Sequence, residues 1–250
     1  MKNKVYDLAQ PYFVGMPHFP THSPFLFGLT KLHGEILLPE SGSSAADVIT
    51  MSGHTGTHID ALNHFSCAGK FFDGHDVHSV QTYGGGIRHL SVDTIEPIVR
   101  RAVLLDIADA LGVPALEPDF VITPDLLDAC GIDIHPGDVV LIRTGWGALW
   151  RDPAKYASAL RMPGVELEGA KWLSERKPFA VGSDTLAFER MPSPKMAVHI
   201  HLLVETGIHI IENLHLETLA ADNVRQFQFV GAPLKIEGGT GAPLRPLGLV

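Results

Sequence analysis

Apolar runs without polar alternation stand out along this chain. Residues 102–107 (AVLLDI) and 138–143 (DVVLIR) are continuous β-branched and leucine-rich stretches, the pattern of strands buried on both faces. Residues 179–182, 208–211 and 227–230 read as strands of the same kind. Helical punctuation marks 123–131, where Thr123 precedes Pro124 at the first turn and Gly131 follows the last. Residues 166–177 carry Leu167, Ala170 and Leu173 on one side, which predicts an amphipathic helix, and 216–222 predicts a shorter one. Gly84-Gly85-Gly86 has no following Lys-Ser/Thr and reads as a turn rather than a phosphate loop. This order predicts one α/β domain with a mixed sheet spanning 1–250. Residues 11–27 show no period. Their Phe13, Phe19, Phe25 and Phe27 predict either a loop covering a pocket or an arm packed on a neighbouring subunit or on the chain's own core. Trp146 and Trp150 suit an aromatic pocket, with core packing the simpler reading.

Composition narrows the class. The 250 residues are 45 % hydrophobic and 19 % charged, within the ordinary range for a globular protein with a sizeable core. A net charge of −9 argues against nonspecific binding to nucleic acid or to anionic membranes. The N-terminal residues Met1 to Leu8 lack the apolar run of a signal peptide, and no run approaches the ~20 apolar residues of a membrane span, so a cytoplasmic location is expected. The two cysteines, Cys67 and Cys130, lack metal-ribbon spacing. Cys67 follows the motif below closely enough to line a site, although a buried, inert cysteine is the simpler reading.

That motif is His54-Thr55-Gly56-Thr57-His58-Ile59-Asp60-Ala61-Leu62-Asn63-His64. Neutral imidazoles and a carboxylate are the donors a divalent transition metal takes, and three protein ligands leave positions open for water or substrate. The segment is β-branched and glycine-bearing, which disfavours a helix. A straight strand would hold His54 and His58 ~13 Å apart, so a bent strand or tight loop is expected. His58 and Asp60 then share a face. His64 is either a further ligand or a proton carrier beside the metal, and the second role suits its ordinary titration range. Near the C-terminus, His199, His201, His209 and His215 read either as a polar stripe on a sheet or as site residues, and Glu212 sits amid apolar residues, where a carboxylate is costly unless paired.

The pattern His-x-Gly-Thr-His-x-Asp-x-x-x-His resembles the signature of the cyclase family of metal-dependent hydrolases, which includes bacterial kynurenine formamidases and isatin hydrolases. The segments around Val198-His199-Ile200-His201 and Gly207-Ile208-His209 to Glu212, and the ending from Pro233 to Pro246, are similar as well. The resemblance implies a swivelling β/β/α fold, with His54, His58 and Asp60 binding the metal and His64 as catalytic acid–base. His199 and Glu212 match the second motif, serving a second metal or lining the site, with His201 a rival for the place of His199. The implied metal is Mn(II) or Zn(II), although the donors alone also admit Fe(II). The implied activity is metal-dependent opening of a cyclic amide such as isatin, with N-formylkynurenine or a lactone as alternatives. The implied assembly is a homodimer or homotetramer. Two other classes share the first motif: a non-haem Fe(II) oxygenase, whose triad is also two histidines and a carboxylate, and a non-catalytic metal-binding protein.

Overall fold

The two strongest apolar runs of the sequence lie side by side at the centre of a nine-stranded sheet. The computed structural model describes residues 4–250; Met1 to Asn3, the start of the segment read for a leader, lie outside the described residues. In chain order the strands are β1 (Val5–Asp7), β2 (His58–Asp60), β3 (Ile98–Asp106), β4 (Val139–Arg143), β5 (Ala180–Ser183), β6 (His209–Glu212), β7 (Gln226–Gly231), β8 (Gly241–Pro243) and β9 (Leu247–Leu249). Their spatial order is β1-β9-β7-β3-β4-β5-β6-β2-β8. β3 to β6 are parallel to their neighbours within that group. Both wings are antiparallel: β7, β9 and β1 on one side, β2 and β8 on the other. This is the mixed α/β sheet the sequence predicts.

Parallel strands covered on both faces favour apolar residues on both, which is why Val139 to Ile142 of β4 are apolar and buried, while Arg143 at its end is buried in ion pairs with Asp106 and Glu217. One face packs Leu104, Leu141, Ile211, Ile59 and Phe229 against Tyr6 and Leu8. The other places Val103, Val140, Val181 and Ile210 beneath the helices Pro124–Ala129 and Leu167–Glu175. Each predicted helix is present but trimmed, the shorter one to Glu217–Ala221. Among the described residues no helix is long and apolar enough to cross a membrane.

Two expectations need correction. The 198–203 segment, whose histidines admitted a reading as a stripe on a sheet, is helical: Ala197–His199 runs into the wider-turn helix Ile200–Thr206, which stops at Gly207. Its Leu202 and Leu203 bury against Ala170 and Leu173, so a helical face is what the apolar pattern serves. Cys67 is exposed rather than buried, in a tight turn with Lys70, while Cys130 is half-buried and its thiol is pushed up to about 11 by burial. Trp146 and Trp150 pack in a third cluster with Tyr156, Met16 and Phe25. The Trp150 indole donates to the Pro11 carbonyl at 2.8 Å, which ties down the aperiodic N-terminal segment.

Candidate metal centre

The histidine motif is a turn followed by a strand. Gly56 has φ +75°, and a Cβ there would meet the Tyr12 ring at 2.5 Å, so the bend requires glycine. Beyond it, β2 alternates. Ile59 enters the core, and His58 and Asp60 point to the opposite face. The antiparallel register sets Glu212 of β6 directly opposite His58. β8 pairs along the other edge of β2, and its Gly241 lets the His54 ring lie against the backbone, where a Cβ would approach within 2.5 Å. The helical turn Ala197–His199 brings His199 over the same face.

Four chain segments thus converge. His54 Nδ1 lies 2.7 Å from Asp60 Oδ1, and His54 Nε2 is 2.9 Å from Thr240 Oγ1. His58 donates from Nδ1 to the Gly56 carbonyl at 2.8 Å, which leaves its Nε2 3.4 Å from Asp60 and 3.5 Å from Glu212. His199 Nδ1 is held by Glu189 Oε1 at 2.7 Å, and its Nε2 lies 3.3 Å from Glu212 and 3.9 Å from Asp60. Such second-nitrogen bonds fix the tautomer of a metal-binding histidine. Asp60 Oδ2 is buried with no hydrogen-bond partner. A buried, unpaired carboxylate oxygen facing imidazole nitrogens is costly without a cation, so the donor set fits a divalent ion. Burial works against a charged His199, but the Glu189 and Glu212 carboxylates prevail and raise it to about 10. In the absence of an ion, a proton there neutralises part of the same negative charge.

His64 stacks on His54, ring centroids 3.9 Å apart. Burial, reinforced by the imidazoles of His54, His199 and His58, holds it well below the usual histidine range despite the pull of Asp60. A neutral His64 is free to accept a proton. Beside these groups lies a cavity of about 190 Å³ lined by Phe19, His22, His64, Phe65, Leu186 and Met196, among others.

His54, His58, Asp60, His64, His199 and Glu212 therefore share one site. His201 does not: its ring bonds Ser174 at 2.9 Å and Glu205 at 2.7 Å, away from the cavity. On a helix, side chains two positions apart point in different directions, which separates it from His199. His209 is half-buried behind the site, donating to the Asp60 carbonyl at 2.9 Å. Sequence reasoning missed Glu189, Thr240 and His22. Thr240 lay within the family-like ending, whereas nothing local marks Glu189 or His22. His22 comes from the 11–27 loop and sets its ring 5.2 Å from that of His54, its Nδ1 buried and unpartnered.

Fold and site together define an α/β protein with a histidine–carboxylate centre at the antiparallel edge of a mixed sheet. The chain belongs to the putative cyclase family, whose model matches residues 6–190. It is 28 % identical over 243 residues to a kynurenine formamidase of Bacillus cereus, covering 96 % of this chain and 94 % of that one. It is 26 % identical over 213 residues to an isatin hydrolase of Roseibium aggregatum, covering 81 % and 73 %. A crystal structure described as a novel cyclase superposes with a TM-score of 0.91 at 28 % identity, across 99 % of this chain and 87 % of that one. The fold is the cyclase-like, swivelling β/β/α one.

Proposed function

We propose that residues 1–250 form one metal-dependent amidohydrolase domain that cleaves the C–N bond of a small aromatic amide, with opening of a cyclic amide such as isatin as the leading reading. The observation that carries it is the cavity beside the donor set, whose apolar lining includes Phe19, Phe65, Leu186, Ala187 and Met196. No lysine or arginine is among the described residues that line it, which suits an uncharged aromatic ring better than a zwitterionic amino acid. His54, His58 and Asp60, with His199 and Glu212, would hold Mn(II) or Zn(II). When bound, such an ion lowers the pKa of water toward ~7 and polarises a carbonyl oxygen.

The chain's own residues supply the remainder. His64, kept neutral, accepts the proton of the attacking water and returns it to the departing nitrogen, a step an amide needs because unprotonated nitrogen leaves poorly. Glu189 orients His199, and the Gly56 carbonyl orients His58. Phe19 and Phe65, which line the cavity, would shield the amide from water and offer apolar faces to its ring.

N-formylkynurenine is the second reading, supported by the near-complete coverage of the formamidase relative. The test is absorbance-monitored isatin opening by metal-stripped protein, before and after Mn(II) or Zn(II) is restored, with N-formylkynurenine in parallel. Metal-dependent isatin turnover is expected. Turnover of the formamide alone would install the second reading. Retained metal without hydrolysis of either would favour a binding protein, and oxygen uptake with Fe(II) and a 2-oxoacid an oxygenase.

We also propose a homo-oligomer. The outlying hairpin Leu26–Lys31/Ala46–Thr50 exposes Leu26, Phe27, Leu29, Val48 and Ile49, beside an apolar groove of about 770 Å³. Contiguous apolar surface of that kind marks an interface, and a second copy is the occupant we favour. Light scattering is expected to give at least a dimer; a monomer at micromolar concentration would refute it.

A further inference from the structure

The segment that leaves His64 carries a second donor cluster outside the cavity. Asp73 Oδ1 accepts from the backbone N–H of His75 at 3.1 Å, which pins the carboxylate and turns Oδ2 toward two imidazoles. Oδ2 lies 3.3 Å from His75 Nδ1 and 2.5 Å from His89 Nε2, and the two rings sit 4.1 Å apart. One donor atom from each of the three residues falls within 4.8 Å of the others. Two donors bound at ~2.1 Å in tetrahedral geometry stand ~3.4 Å apart. The His75 distance already meets that value. The His89 ring must retreat by less than ~1 Å, which its position at the surface allows.

The surroundings set these three apart from an ordinary surface ion pair. His75 and His89 belong to different segments, 14 positions apart, yet present nitrogens to one oxygen. Two imidazoles and one carboxylate select zinc, nickel or copper over magnesium or calcium, which prefer all-oxygen shells. His89 also follows closely on the short strand Gly86–Ile87, and the Ile87 carbonyl accepts from the Asn63 side chain at 2.9 Å. Asn63 is the neighbour of His64. Whatever fastens residues 71–75 to His89 therefore braces the chain on both sides of the residue assigned to proton transfer.

We propose that Asp73, His75 and His89 form a peripheral site for a divalent transition metal, separate from the centre at Asp60, and that its occupancy clamps residues 65–89 into one rigid segment. Such a site is independent of the reaction proposed above.

The test is calorimetric titration of metal-stripped, full-length protein with Zn(II), comparing the parent chain with a His75→Gln/His89→Gln double variant. The same pair is compared again in an Asp60→Ala background. His75 is exposed and His89 half-buried, and neither belongs to a core cluster, so folding is expected to be retained, checked by a melting curve of the double variant. The double variant is expected to bind one ion fewer per chain in both backgrounds. Zn(II) is also expected to slow proteolytic cleavage within residues 65–89 of the parent at least fivefold, and of the double variant not at all. Equal ion counts, or no lost step tighter than about 100 µM, would overturn the site. A difference seen only with Asp60 intact would overturn it too, since the histidines would then be acting through the central site.

Discussion

Glu189→Gln is the most exacting perturbation of the centre, because it removes a charge at nearly constant volume. Glu189 is 1 % exposed, and its Oε1 accepts both from the His199 backbone at 3.0 Å and from the ring Nδ1 at 2.7 Å. That pair of bonds makes Nδ1 a donor and turns Nε2 toward Glu212 and Asp60. Glutamine keeps the volume and an acceptor oxygen but loses the negative charge. Hydrogen bonds to charged groups contribute ~1.5–3 kcal/mol against ~0.5–1.5 for neutral ones, so the change forfeits about 1–2 kcal/mol. At ~1.4 kcal/mol per decade this weakens ion binding about five- to thirtyfold, overlapping the ~10–100-fold range for partners that stand behind metal-bound histidines.

The assay is competition for Zn(II) between the protein and a chromophoric chelator, alongside thermal melting of the metal-free form. The expected result is weaker ion binding by about tenfold, with the metal-free form also melting somewhat lower because it loses the same charged bond to His199. Ion affinity within twofold of the parent, together with a lowered melting temperature, would refute the reasoning. Glu189 would then support the fold without orienting His199.

Three further predictions follow from other parts of the structure. Asp60→Ala should lose bound metal in elemental analysis, whereas His64→Ala should keep it and lose turnover by about 10²–10⁴-fold; equal metal loss in both would refute the division of roles. Gly56→Ala forces a left-handed residue and a Cβ into the Tyr12 ring, so a loss above ~2 kcal/mol is expected, checked by a melting temperature lower by several degrees. Asp184 is fully buried, and burial raises its carboxyl from 3.8 to about 6 despite hydrogen bonds from Thr144 and Gly147. Between those values the native state holds a proton the unfolded chain has released, so its contribution to stability is complete below pH ~4 and falls by at most about 3 kcal/mol as pH rises through 6. Denaturant titrations across that window should show a fall in the parent that Asp184→Asn flattens.

The strand content was legible because the central parallel strands are covered on both faces, which leaves Val139 to Ile142 no polar position. The alternation of His58, Ile59 and Asp60 was legible for the opposite reason, since one face of β2 is core and the other is the site. Residues 198–203 resisted the same logic. Val198 and Ile200 favour strands by propensity, but Val198, Leu202 and Leu203 are buried together at i, i+4 and i+5 of a helix, and tertiary packing decided. That error also made His199 and His201 look equivalent, when a helix sends the first into the cavity and the second to Ser174. Glu189 was unreadable in principle: a buried carboxylate announces itself only through its partner, and the bond to His199 is made by tertiary approach.

Occupancy of the proposed centre would also join stability to metal binding. Asp60, Glu212 and Glu189 are all buried at one place. A cation offsets that desolvation; without one, Asp60 Oδ2 has no hydrogen-bond partner, and the surrounding imidazoles alone, which hold the carboxyl well below the usual carboxylate range, offset its burial. Binding to the native state alone stabilises by RT ln(1 + [L]/Kd), about 2.7 kcal/mol at a hundredfold excess over Kd. Asp60→Ala removes both the unpaired oxygen and the ligand. The metal-free variant should accordingly melt close to the metal-free parent, relief of the unpaired oxygen offsetting the lost bond to His54, while the metal-loaded parent melts above both. A metal-free variant much less stable than the metal-free parent would mean that Asp60 stabilises the fold through its bonds to His54 and His58, and that the fold does not need the ion to tolerate the carboxylate.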